Sequence, residues 1–120
     1  MYNTFDKKKE YLDRNIFFGL TNLNNGFDAE GIKYFSEKDF EIVLNRVKQS
    51  GLGITGIEPW KNGEFYQVLT YEEFTNDSTD PKWYMKAFEL FQRRWRRLTI
   101  CCDISYSREI IWQSRLNDIE

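Results

Sequence analysis

Apolar positions in this chain recur with two different periods, and the changes of period mark its elements. Phe40, Val43, Leu44 and Val47 follow at helical spacing after Ser36, a good N-cap, with Asp39 at the third helical position. Phe35 before the cap and Phe40 after it form a hydrophobic-staple pattern, and Gly51 suits a left-handed C-terminal cap. A second helix opens at Asp80-Pro81, and Tyr84, Ala87, Phe88, Phe91 and Trp95 mark its buried face. Trp83 and Leu90 sit to the side of that stripe.

Period two governs the rest. Leu98, Ile100, Cys102, Ile104 and Tyr106 share one face of a predicted strand, and Thr99, Cys101, Asp103 and Ser105 share the other. Leu52–Glu58 and Glu64–Tyr71 read as two strands joined at Asn62-Gly63, residues that tolerate the positive φ of a tight hairpin turn. Ile16–Thr21 is a continuous apolar run and reads as the first strand. Residues 22–31 are rich in turn formers and read as a loop, and 75–80 as a polar loop. Residues 1–14 form a polar lead-in with a short helix over Lys7–Asp13, which Tyr11 and Leu12 would pack down. The tail, 107–120, is either a short helix or an edge strand.

The expected order is thus strand, helix, strand, strand, helix, strand. That is the ferredoxin-like βαββαβ pattern: an α+β fold with a four-stranded antiparallel sheet and two helices on one face. At 120 residues the chain fits a single domain, 1–120. An aromatic share of 18% supplies a core despite this modest length.

Composition narrows the chemistry. There is no His, so the usual general base, proton shuttle and commonest metal ligand are missing. Cys101 and Cys102 are adjacent and would point to opposite strand faces, a poor geometry for a disulfide. No spacing matches a zinc site or a calcium loop. The expectation is therefore a non-enzyme without cofactor or metal. The N-terminus carries no apolar run of signal-peptide length, and the cysteines suit a reducing compartment, which points to the cytoplasm. Nothing predicts a membrane span.

A net charge of −2 disfavours a general nucleic-acid binder. The aromatics around Phe65 and Tyr66 do not change this, because Asn62 stands where a base-stacking strand would carry a cation and the surroundings are acidic. The small total hides an asymmetry. Glu58, Glu64, Glu72, Glu73, Asp77 and Asp80 face Lys61 alone, and then Lys82, Lys86, Arg93, Arg94, Arg96 and Arg97 face Glu89 alone. The Arg93–Arg97 cluster reads either as a phosphate contact or as a helix end that complements its dipole.

The candidate partner-binding residues are Glu58, Trp60, Glu64, Glu72, Glu73 and Asp77. Trp offers large contact area at low entropic cost, and carboxylates would select a basic partner. The competing structural reading has Trp60 folded over the sheet end and the acids merely solvated. Inhibitors of basic nucleases, such as bacterial toxin-immunity proteins, share this general profile of size and charge. The alternative expectation is a small-molecule-binding or regulatory domain that uses the open sheet face or a dimer interface, lined by Thr55, Tyr66, Thr99, Asp103 and Ser105.

Overall fold

The computed structural model describes residues 4–29, 31–61, 64–65, 67–94 and 99–105. Helix α1 spans Thr4–Asn15, strand β1 Phe35–Ser36, helix α2 Glu37–Ser50 and strand β2 Gly53–Lys61. Two short strands, β3 (Glu64–Phe65) and β4 (Leu69–Thr70), lead into a 3-10 turn at Tyr71–Glu73. Helix α3 (Pro81–Arg94) and strand β5 (Thr99–Ser105) complete the described fold. It is an α+β fold with an antiparallel sheet.

Both core helices form where the caps predict. The Ser36 hydroxyl accepts the Asp39 N–H at 3.2 Å. Gly51, at φ 72°, closes α2 by donating to Lys48, while Leu52 donates to Val47. In α3 the Asp80 carboxylate accepts the Lys82 N–H at 2.9 Å, with Pro81 at the first helical position. Trp95, Arg96 and Arg97, the hairpin turn Asn62-Gly63, Tyr66 and the 107–120 tail lie outside the described residues.

The first predicted strand is not a strand. α1 runs to Asn15, and Ile16–Gly19 form a turn with Gly19 at φ 74°. The Ile16 and Phe18 carbonyls, which a ladder would need, accept from Arg46 of α2 at 3.0 and 2.7 Å. The Arg46 guanidinium also lies 3.8 Å from the Phe18 ring centroid. The first strand is instead the two-residue β1.

The sheet order β1-β5-β2-β3, with β4 also on β2, replaces the expected ferredoxin-like order. Every strand pair among the described residues is antiparallel, as that pattern also expects, so the difference lies in the order and number of strands. β5 lies between β1 and β2, and β2 is its long neighbour. The hairpin register holds: Lys61 faces Glu64 and Trp60 faces Phe65. Further along, Ile57 faces Leu69, so three steps on β2 meet four on its partner and the second strand is broken. The predicted strand Glu64–Tyr71 therefore becomes two short pieces.

The α2 face (Phe40, Val43, Leu44, Val47) and the α3 face (Trp83, Tyr84, Ala87, Phe88, Phe91) pack with Phe35, Ile54, Ile57 and Ile100 in one core. Tyr11 and Leu12 of α1 pack against its margin. Trp83, placed beside the stripe by spacing alone, is fully in this core. Its indole N–H lies 3.1 Å from the Ile54 carbonyl and 3.3 Å from that of Ser78.

Candidate functional site

Side chains alternate across β2, so Ile57 enters the helix-side core while Glu58 and Trp60 share the opposite face. Cys101, the register partner of Glu58 on β5, shares that face, and its Sγ lies 3.5 Å from Glu58 Oε2. Here the sheet is not open. Residues 22–29 and 31–34 fold over it.

That segment is organised by two asparagines. Asn22 Oδ1 accepts from the N–H groups of Asn24 and Tyr34, each at 3.0 Å, and the Leu23 N–H donates to the Tyr34 carbonyl at 2.7 Å. Asn24 Nδ2 donates to the carbonyls of Ala29 and Ile32 at 3.1 and 2.8 Å, and Asn24 Oδ1 accepts from Gly26 and Asp28 at 3.1 and 3.3 Å. Such side-chain bonds satisfy the backbone of an irregular segment without regular structure. At the segment's end Lys33 pairs with Asp13 of α1 and lies 5.2 Å from the Phe17 ring centroid.

Two rings cover Trp60. The Phe27 centroid lies 5.2 Å from that of Trp60, the Tyr34 centroid 5.6 Å, and Phe27 and Tyr34 are 4.8 Å apart. Phe65 meets Trp60 from the hairpin at 6.1 Å. The Trp60 indole nitrogen is buried without a hydrogen-bond partner.

Tyr34 is completely buried, and its hydroxyl lies 2.5 Å from Asp28 Oδ2 and 3.2 Å from Glu58 Oε2. A phenol has one proton to give, and the shorter contact directs it to Asp28. Burial, followed by the bond to Asp28, pushes the Tyr34 phenol far above its ordinary range. The same bond, followed by the Ala29 N–H, holds the Asp28 carboxyl below the usual carboxylate range. The arrangement is a polar clasp joining the segment to the sheet.

The sequence-predicted site residues separate into three groups. Glu58 and Trp60 are half-buried under this cover. Glu73 and Asp77 are exposed but engaged locally: Glu73 Oε2 accepts the Thr70 N–H at 2.7 Å, and Asp77 Oδ1 accepts the Thr79 N–H and hydroxyl at 3.0 and 2.7 Å. Those bonds keep the Asp77 carboxyl below its ordinary range. Glu64 and Glu72 project into solvent, and along the same stretch Phe65 is 52% and Val68 46% exposed. Sequence reasoning missed Asp28 and Tyr34, whose 22–31 neighbourhood carries no signal beyond loop formation.

No family model, curated protein or solved structure matches the chain at a significant level. Among the described residues no cluster of three or more Cys, Asp or Glu could hold a metal ion, and no helix is long and apolar enough to cross a membrane.

Proposed function

We propose that this is a protein-binding domain that occludes a basic surface of its partner, with the β2–β3 hairpin and the adjoining 3-10 turn as its contact surface. The observation that carries this reading is the exposure of Phe65 and Val68 beside the exposed Glu64 and Glu72. Apolar groups of this size on a sheet edge are more often blunted by Lys or Pro. An apolar centre with an acidic rim matches the anatomy of an interface that selects a cationic partner. Neither cysteine is in a disulfide, which supports a cytoplasmic setting. A secreted-type nuclease toxin held in check in the producing cell is the kind of basic protein such a surface would suit.

The small-molecule reading has less support. Phe27 and Tyr34 occupy the part of the sheet face where a ligand would lie against Trp60.

Affinity capture from the native host tests the proposal, with wild type compared against Glu64→Lys/Phe65→Ser. The expected result is a basic protein retained by wild type and lost by the double variant, at an unchanged melting temperature. An identical capture profile would overturn it.

A further inference from the structure

We propose that residues 22–29 and 31–34 form a clasped strap: the Asp28–Tyr34–Glu58 contact holds Phe27 down on Trp60, and release of that contact lifts the strap tip and uncovers Trp60. Three observations converge on this. First, the strap holds its own shape. Asn22 and Asn24 bond its backbone internally, so its tip can leave the sheet without orphaning those groups. Second, Phe27 and Tyr34 lay its rings on Trp60 and Tyr34 reaches Glu58, while the Leu23–Tyr34 bond closes the strap's base and Lys33–Asp13 ties that base to α1. A strap fixed at both ends and fastened at one clasp has a defined way to open.

Third, the clasp is electrostatically loaded. Asp28 and Glu58 both point at the one phenol oxygen, which has a single proton to offer. The Lys33–Asp13 ion pair holds the strap's end and does not reach this oxygen. Beneath the strap the Trp60 indole N–H has no acceptor, and lifting gives it water. The closed state therefore depends on the Tyr34 hydroxyl, which joins Asp28 to Glu58, while the Cys101 thiol faces Glu58 from β5.

Trp60 belongs to the proposed contact hairpin, so the strap would set how much of Trp60 a partner can reach. Only this consequence rests on the partner-binding reading. The strap itself is testable without a partner.

The experiment is 19F NMR of protein labelled with 5-fluorotryptophan, the Trp60 resonance being assigned by its loss in Trp60→Phe. Tyr34→Phe removes the clasp hydroxyl, and Asp28→Asn keeps its shape while weakening the acceptor. Both should move the Trp60 resonance toward the solvent-exposed position, with the lifted population raised ~10-fold for loss of one hydrogen bond. The Trp83 resonance should stay in place, reporting an intact core, and the Gly26 and Asp28 amides should keep their protection from hydrogen exchange. A Trp60 resonance unmoved in both variants overturns the clasp. Loss of strap amide protection together with Trp60 exposure overturns the strap as a unit, because the segment then unravels instead of lifting. Failed capture in the partner experiment, with the Trp60 shift intact, would remove the partner reading and leave the strap standing.

Discussion

Ile54 and Ile57 are three positions apart on β2, yet both are fully buried in the same core. A regular strand would send them to opposite faces. The register against β5 explains the exception: Ile54 faces Ile104 and Gly56 faces Asp103, so two steps on β2 meet one on β5. The extra residue restores the inward face after one irregular step.

Ile57→Ala should therefore cost ~2–5 kcal/mol, the range for a large buried aliphatic side chain reduced to a methyl. Deletion of Thr55 removes the extra residue and leaves the two isoleucines two positions apart, the spacing at which a regular strand keeps both on one face. Urea denaturation should therefore show Thr55 deletion milder than Ile57→Ala. A deletion as damaging as Ile57→Ala would show that the irregular step does more than set the facing.

Arg46 reaches two carbonyls and one ring of the Ile16–Gly19 turn. Arg46→Met keeps the apolar stem and loses the guanidinium, at a cost of ~1–3 kcal/mol. Arg46→Lys should recover only part of this, because an ammonium cannot match the planar fork. Thermal melts of both variants check the order; full recovery by Lys would contradict it.

Tyrosine ionisation should be spread over a wide pH range. Tyr34 is pushed far up by burial and then by Asp28, and burial followed by the Asp80 charge pushes Tyr84 up to about 12. Absorbance at 295 nm should show these two phenols ionising above pH ~10, the ordinary phenol value. Tyr34→Phe should remove a late component; removal of an early one would refute the buried neutral phenol.

The same shifts set a pH window for the clasp. Tyr34 has a raised folded value, so its contribution is complete below the ordinary phenol range and is lost as pH rises through the folded value. Asp28 has a depressed folded value, so its contribution is present above the ordinary carboxylate range and is lost as pH falls. The other groups facing the phenol are Glu58 and Cys101. The stability difference between wild type and Tyr34→Phe should be largest between pH ~4 and ~10 and should shrink on both sides. A difference flat from pH 3 to 11 would contradict this.

At Gly51 a Cβ would meet nothing within 4 Å, so Gly51→Ala carries only the strain of φ 72°. The expected cost is ~1 kcal/mol, close to that of removing the Ser36 cap. Chemical denaturation of Gly51→Ala and Ser36→Ala checks both; a neutral Gly51→Ala would show that the helix end readjusts.

The sequence by itself determined both core helices, the Asn62-Gly63 hairpin register and the inward face of β5. These rest on caps, periods and turn chemistry that act within a few residues, and tertiary context did not oppose them. It also supplied the acidic stretch from Glu58 to Asp80, though not what each carboxylate does there. Tertiary structure alone decided the rest. Ile16–Thr21 is apolar enough for a strand, but Arg46, thirty positions from Ile16, takes its carbonyls. The sheet order depends on β5, the last described strand, inserting between β1 and β2, both far earlier in the chain. Glu58 and Trp60 look like surface groups in one dimension. They become half-buried because Phe27 and Tyr34, brought over the sheet by a segment with no periodicity, meet them across the fold. Local preferences carry information over a few residues, and long-range partners are selected only when the core closes.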